Sequence, residues 1–364
     1  MARSLVLEGP RTLRLLAGDP PPLGPREVRV RAALSGISHG TELNLYRGSS
    51  AFADRVFDRE LRSLVRPDPP RSTYPAALGY ELVGFVEEAG TDVDELSVGD
   101  LVHAGVPHGD EAVLDVDAAA QVTYPLVRLP AGVPLERWLF LSLGMVALVA
   151  IHDARVKVGD HVAVFGLGAI GLLLVQLARM AGAARVTGVD LVASRRELAT
   201  GLGADSVLDP REVTDGVGSA IKRAGRRGVD AAIESSGSTA ALHDAIAAAG
   251  LGGTVVTVGF YQGGAPELRL GEEWHHNRLD MVSSMGAWGA PHRAHPAWDR
   301  LRVALTVVDL LASGRLAVDT LPIRRFPFDE AVEAYGWLDA HPDEAIKVAL
   351  TYDGTNPSRR GGPQ

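Results

Sequence analysis

The feature that most constrains how this chain can fold is a glycine run, Gly166-Leu167-Gly168-Ala169-Ile170-Gly171. It lies between the apolar stretch Val162–Phe165 and a segment of helical periodicity, Ala169–Ala181. The spacing Gly-x-Gly-x-x-Gly says little by itself, because glycines are common. Its setting says more: Gly159-Asp160 turns into the apolar stretch, the glycines follow at once, and the helical pattern follows them. In such a strand–turn–helix, Gly166 allows the tight turn, Gly168 lets the backbone approach a pyrophosphate, and Gly171 lets the helix pack on the strand. The helix start, Ala169-Ile170, presents free N–H groups and a partial positive charge to phosphates. Asp190 ends the next strand-like stretch, Arg185–Val189, 19 residues beyond Gly171. A carboxylate there accepts from both ribose hydroxyls and repels a 2′-phosphate, which favours NAD(H). Arg195 and Arg196 follow closely enough to meet a 2′-phosphate, so NADP(H) stays open.

From about residue 155 the pattern alternates strand and helix. Arg185–Val189, Ser206–Leu208, Asp230–Glu234, Thr254–Val258 and Asp280–Ser283 read as strands, with a helix at Ser194–Leu202. This predicts an α/β fold with a doubly wound parallel sheet. The first 150 residues instead read as short strands. Glu27–Ala32 alternates at period 2, Gly79–Ala89 is apolar, and Val98–Val102 has a turn-then-strand pattern. Residues 49–74, rich in Arg, Asp and Pro, contain a helical-looking piece at Phe57–Leu64 and read as a surface insertion or a lid. Trp298–Ser313 and Phe328–Leu338 read as helices, Ile346–Leu350 as a strand, and 353–364 as a disordered tail.

Composition sets the outer limits. The 364 residues suit two domains. The absence of cysteine excludes disulfides and thiolate metal sites, and a net charge of −9 argues against a nucleic-acid partner. The N-terminus lacks the long apolar stretch of a signal peptide. Trp138–Ile151 and Leu172–Leu177 fall short of a membrane span. The expectation is a cytoplasmic enzyme with a small-molecule substrate, and neither nucleic acid nor membrane as partner.

Four further segments carry a family resemblance. Leu34-Ser35-Gly36-Ile37-Ser38-His39-Gly40-Thr41-Glu42, Leu78-Gly79-Tyr80-Glu81, Val98-Gly99-Asp100-Leu101-Val102 and Lys157-Val158-Gly159-Asp160 precede the glycine run in that order. Over about residues 1–352 this resembles the medium-chain dehydrogenase/reductase superfamily. The resemblance implies a GroES-like β-barrel catalytic domain at 1–152, completed by 290–352, and a Rossmann domain at 153–289. It implies that Gly259 and Phe260 lie beside a nicotinamide, that the backbone around Ser284 meets its carboxamide, and that Lys347 reaches the pyrophosphate. It also implies a homodimer formed through edge strands near Val282–Met285.

The departures from the family are as informative. Zinc-dependent members take metal ligands from a Cys where this chain has Ser38, a His where it has Tyr80, and a residue near Gly144-Met145. A tetrahedral site needs three nitrogen, sulfur or carboxylate ligands, so no zinc is expected. A site rebuilt from His39, His152 and Glu81 is the alternative. The segments Ser-Gly-Ile-Ser-x-Gly-Thr-Glu and Gly-Tyr-Glu resemble a branch that contains bacteriochlorophyllide dehydrogenase and related alcohol dehydrogenase-like proteins. Glu272–Arg278 resembles sugar- or secondary-metabolite-type members.

Without a metal, a hydroxyl or imidazole must stabilise charge on the substrate oxygen. Tyr80 is the first choice of donor and His39 the second, with Ser38, Thr41 and Glu81 as supporting candidates and Asn44 where a relay histidine often stands. Three functions remain open. The first is zinc-independent hydride transfer between nicotinamide and an alcohol or ketone of a sugar-like or secondary-metabolite substrate. The second is reduction of a conjugated C=C bond, including reductive cyclisation. The third is a non-catalytic NAD-binding protein.

Overall fold

The computed structural model describes residues 1–52, 54–69, 72–120, 122–225, 227–286 and 292–353. They divide into two compact units: residues 1–139 with the stretch from 322, and residues 140–321. Each boundary differs from the sequence expectation of 152/153 and 289/290. The reason is helix packing. The helix α3 (Leu141–Ala154) lies against the helices α4 (Ala169–Met180) and α9 (Arg300–Ala312) of the second unit. A side chain at Gly144 would stand 2.6 Å from Val307 Cγ1, so glycine is what lets α3 and α9 approach.

In the first unit the period-2 pattern becomes sheet. Strands β1 (Ala2–Gly9), β2 (Thr12–Gly18) and β6 (Ala76–Ala77) form one small sheet. A larger sheet runs β10-β8-β7-β3-β18-β17, with β9 also paired to β3. These strands are β3 (Glu27–Ile37), β7 (Leu82–Ala89), β8 (Leu101–Ala104), β9 (Glu111–Asp115) and β10 (Val127–Arg128). From the far end of the chain come β17 (Ile323–Pro327) and β18 (Lys347–Thr351). Val28, Val30, Ile37, Leu82, Val86, Val348 and Leu350 meet in one core under the helices α1 (His39–Arg47) and α10 (Ala331–Ala340). Each such side chain contributes about 1.5–3 kcal/mol by leaving water.

One expectation here is corrected. Phe57–Leu64 is not a helix but the turn and flanks of a hairpin, β4 (Val56–Asp58) and β5 (Ser63–Val65). Asp58 Oδ1 accepts from the backbone N–H groups of Glu60 (2.9 Å) and Leu61 (2.8 Å), and Arg62 takes φ 54°. An aspartate that bonds backbone two and three residues on favours a turn over a helix.

The second unit alternates as the sequence predicts. The strands are β11 (His161–Phe165), β12 (Arg185–Val189), β13 (Ser206–Leu208), β14 (Val229–Glu234), β15 (Ala249–Thr257) and β16 (Asp280–Ser283). Between them come α4, α5 (Ala193–Gly201), α6 (Val217–Gly225) and α7 (Thr239–Ala248). All six strands pair in parallel in the order β13-β12-β11-β14-β15-β16. That is the order of a doubly wound dinucleotide-binding sheet, whose ligands bind at the carboxyl ends of the strands.

The expectation that no segment reaches membrane-spanning length is also corrected. A 3₁₀ turn at Leu135–Phe140 runs on into α3, and Leu135–Ala154 is long and apolar enough by length and composition. Most of it is buried in the protein, as a core helix is. The expected disordered tail from 354 lies outside the described residues.

Candidate active site

In the second unit the glycine turn follows β11. Gly166 takes φ 85°, and a side chain there would stand 2.8 Å from the Ser236 backbone nitrogen. A side chain at Gly171 would be driven into the Gly166 carbonyl, 2.8 Å from its carbon. Gly168 is the N-cap of α4, and nothing lies within 4 Å of where its side chain would be. The space over the start of α4 is therefore open. There the first N–H groups, those of Ala169, Ile170 and Gly171, have no partner within the helix.

Asp190 is anchored beside this turn. Its Oδ2 accepts from Leu167 N–H (2.6 Å) and its Oδ1 from Val192 N–H (2.8 Å). Arg196 is committed to the Asp190 carbonyl (2.8 Å) and to Asp209 (3.0 Å), whereas Arg195 is half-buried on the same helix. An open helix start, a close-approach glycine and a fixed carboxylate one strand over fit a dinucleotide.

Sequence reasoning missed the group that shapes the neighbouring strand ends. Glu234, the buried last residue of β14, accepts from Ser236 N–H (2.7 Å), Gly237 N–H (3.1 Å) and the hydroxyls of Ser236 and Tyr261. Burial pushes its carboxyl above the usual range against the pull of these donors. A side chain at Gly259 would meet Glu234 Oε2 at 2.8 Å, so Glu234 ties the 235–237 turn to the 258–261 turn. The sequence signal was present: a glutamate closing a strand just before Ser235-Ser236-Gly237-Ser238. Phe260 is half exposed, and Ser284 is buried just past β16 with its N–H on the Thr257 carbonyl (2.9 Å).

In the first unit, sheet register gathers the other candidates. β3 pairs with β7 through Ser35 and Leu82, and with β18 through Ile37 and Val348. Ser38 therefore leaves β3 beside Tyr80 and Glu81, with Lys347 across from it. Ser38 is the N-cap of α1, yet its hydroxyl makes no capping bond. It accepts from the Tyr80 phenol instead. The Tyr80 ring stacks on Tyr124, with centroids 5.0 Å apart and planes at 12°. Burial, then the neighbouring Tyr124 and Glu81, push the Tyr80 phenol well above its ordinary pKa. It stays protonated and acts as a donor.

Glu81 is fully buried on the Lys347 ammonium, with its second oxygen, Oε1, unpartnered. Burial raises its carboxyl despite Lys347. A side chain at Gly36 would stand 2.8 Å from Lys347 Nζ, so glycine is required where this pair sits. The sequence expectation gave Lys347 to a pyrophosphate; the structure gives its ammonium to Glu81 and to the Ile37 carbonyl (3.4 Å).

The remaining candidates are not drawn into the Ser38–Tyr80 pair. His39 begins α1 half-buried, and Thr41, two residues on in the same turn, is exposed. Asn44 donates to the Gly40 carbonyl (2.6 Å). His152 belongs to a ring cluster in the second unit, 5.3 Å from His292 and 4.5 Å from Trp298 between centroids.

This donor set does not fit zinc. The hydroxyls at two of the family's ligand positions are hydrogen-bonded to each other, and the adjacent carboxylate is spent on an ammonium. Gly144 and Met145 offer none of the required ligand types. Among the described residues no group of three or more His, Asp or Glu is placed to hold a metal.

A unit built on a six-stranded parallel dinucleotide sheet, and a second, barrel-like unit carrying Ser38 and Tyr80, define an oxidoreductase of the medium-chain dehydrogenase/reductase superfamily, and the chain belongs to it. Residues 24–113 match the alcohol dehydrogenase GroES-like domain and residues 169–302 the zinc-binding dehydrogenase domain. The chain is 34% identical over 356 residues to D-guloside 3-dehydrogenase of Escherichia coli (strain K12), covering 96% of this chain and 100% of that one. It is 29% identical to (R,R)-butanediol dehydrogenase of Bacillus subtilis (strain 168), over 89% of this chain and 92% of that one. The crystal structure of 2R,3R-butanediol dehydrogenase from Bacillus subtilis superposes with a TM-score of 0.78 at 22% identity, covering 96% and 99% of the two chains. That likeness shows the shared fold.

Proposed function

We propose that this chain is a zinc-independent dehydrogenase that transfers hydride between NAD(H) and a secondary alcohol or ketone of a sugar-like substrate. The observation that carries the reading is the hydrogen-bonded Ser38–Tyr80 pair at two positions where zinc-dependent relatives hold metal ligands. The D-guloside 3-dehydrogenase resemblance over nearly the whole chain supports a ring hydroxyl of a glycoside as the oxidised group.

Gly166, Gly168 and the start of α4 would hold the pyrophosphate, and the Asp190 carboxylate would hold the ribose and disfavour a 2′-phosphate. The nicotinamide, when bound, supplies or accepts the hydride. The protein's own work is on the substrate oxygen. Tyr80 donates to Ser38 Oγ, which leaves the Ser38 hydrogen free to donate to that oxygen. A donor that is itself hydrogen-bonded is strengthened by polarisation. Because the phenol stays protonated, the pair stabilises developing negative charge on that oxygen, and the proton an alcohol gives up on oxidation leaves to solvent water. The homodimer implied by the resemblance would form along β16, an edge of the parallel sheet.

The deciding experiment combines metal analysis with a turnover screen of glycosides, acyclic diols and enones against both nicotinamide cofactors. The expected result is metal-free protein that oxidises a glycoside, prefers NAD, keeps its rate after chelation, and loses about 100-fold in kcat in Tyr80→Phe. Stoichiometric zinc, turnover of enones alone, or tight cofactor binding with no turnover would each overturn the proposal.

A further inference from the structure

Behind the Ser38–Tyr80 pair lies a second buried polar network that the proposed reaction does not use. Its members come from five places: Ser35 on β3, Glu42 on α1, His108 after β8, Tyr335 on α10 and Tyr352 after β18, all of them buried. Tyr352 Oη lies 2.8 Å from Ser35 Oγ, and Ser35 Oγ lies 2.7 Å from His108 Nδ1. His108 Nε2 lies 3.2 Å from Glu42 Oε2, which also receives the Tyr335 hydroxyl.

One assignment of hydrogens satisfies the whole set. Tyr352 donates to Ser35, Ser35 donates to Nδ1, Nε2–H is shared between Glu42 Oε2 and the Tyr335 oxygen (3.1 Å), and the Tyr335 hydroxyl donates to Glu42 Oε2. The donors thus run one way and end on the Glu42 carboxylate.

The other Glu42 oxygen leaves the network. Oε1 accepts from Ser38 N–H at 2.8 Å. A glutamate reaching back to an N-cap nitrogen usually stands three residues on and pairs with an N-cap hydroxyl that bonds forward into the helix. Here it stands four residues on, and the Ser38 hydroxyl points to Tyr80 instead of capping α1. His108 grips the other partner's segment. Its N–H donates to the Leu78 carbonyl (2.7 Å), and a side chain at Gly79 would meet its ring at 2.7 Å. The Glu42–His108 contact therefore joins the backbone that carries Ser38 to the backbone that carries Tyr80.

We propose that Glu42, held by His108 and Tyr335, is a positioning residue that sets the Ser38–Tyr80 hydrogen bond. Its consequence for turnover rests on the proposed function; its effect on the Tyr80 phenol does not. Fully satisfied buried networks of this kind fix one arrangement of the groups they hold. A misplacement of about 1 Å at a reacting group costs about 100-fold in rate.

The test uses the full chain with 13C at the tyrosine ring carbon bearing the hydroxyl. The Tyr80 resonance is assigned with Tyr80→Phe, and its hydrogen-bonded position is calibrated with Ser38→Ala. In Glu42→Ala and Tyr335→Phe that resonance is expected to move in the same direction as in Ser38→Ala and at least half as far. In Glu42→Gln, whose carbonyl keeps an acceptor for Ser38 N–H and whose amide can donate to His108 Nε2 once that ring adopts its other tautomer, it is expected to stay near wild type. On methyl D-guloside with NAD, Glu42→Ala is expected to lose about 100-fold in kcat, with KM and cofactor affinity within about 3-fold of wild type. Glu42→Gln is expected to recover most of that loss.

An unmoved Tyr80 resonance in Tyr335→Phe and Glu42→Ala overturns the positioning role whatever the enzyme turns over. If Glu42→Ala does not fold, an unmoved resonance in Tyr335→Phe overturns it. Wild-type kcat in both Ser38→Ala and Tyr80→Phe overturns the proposed function instead and leaves the resonance to decide the network.

Discussion

Several single residues carry more of the structure than their chemistry advertises. Gly171 is the sharpest case, because any side chain there enters the Gly166 carbonyl. Gly171→Ala is expected to lower cofactor affinity at least 10-fold while leaving the first unit intact, as read by nucleotide titration and far-UV circular dichroism.

His103 gives a pH signature. It is buried near Lys347, and burial first, then that ammonium, lowers its pKa to about 3. An unfolded histidine titrates near ~6.5. The folded state therefore binds this proton more weakly, and the resulting stability is fully present above that value. It is lost as pH falls toward about 3, with a slope of about 1.4 kcal/mol per pH unit. His103→Gln should have a shallower acid limb by that slope in urea unfolding measured between about pH 4 and 6.5. An unchanged slope would show that His103 does not carry the acid sensitivity.

Among elements, the long helices of the second unit depend on one side-chain staple. The Gln176 amide on α4 accepts from Ala317 N–H (2.7 Å) and donates to the Ala317 carbonyl (3.0 Å), pinning the segment after α9. Gln176→Ala removes both hydrogen bonds to the exposed residue Ala317 and is expected to cost about 1–2 kcal/mol, seen as a lower Tm of the second unit by calorimetry.

The same elements show what was legible in the sequence. β12, β13 and β16 have the predicted bounds: β12 is buried on both faces and reads as a short apolar run, whereas the edge strands β13 and β16 are delimited by the turn residues around them. The β4–β5 hairpin was misread because its apolar residues Phe57, Leu61 and Leu64 fall at helical spacing, while the decisive Asp58 turn contacts are local hydrogen bonds that no periodicity reports. The glycine turn and Asp190 were legible because their spacing is set within one β–α–β unit. The buried partners of Glu81 and Glu42 were not, since Lys347 and Tyr335 lie more than 250 positions further along the chain. Sheet register brings Lys347 to Glu81, and the packing of α1 against α10 brings Tyr335 to Glu42.

At the scale of the whole molecule, the two units answer different perturbations. The proposed cofactor site lies within residues 140–321 and the Ser38–Tyr80 pair within the other unit. Saturating NAD at about 100 times its Kd should stabilise the second unit by about 2.7 kcal/mol, and Gly171→Ala, with at least 10-fold weaker binding, should cut that shift to about 1.4 kcal/mol or less at the same NAD concentration in calorimetry. The proposed dimer along β16, where Met281 and Met285 are exposed, should appear as twice the chain mass in light scattering. Monomer at micromolar concentration would count against it.

The first unit is closed by its last strand, and this makes its assembly a matter of timing. During synthesis, β3, β7 and Glu81 emerge early, whereas β18 and Lys347 follow only after the entire second unit. For that interval the sheet lacks a central strand and Glu81 lacks its cation. A buried carboxylate without a partner is costly, so the nascent barrel must stay open, with Glu81 in water, until the final residues arrive. Translation thus acts as a clock on this fold: Glu81, next to Tyr80 in the chain, gains its cation only once Lys347 has been made.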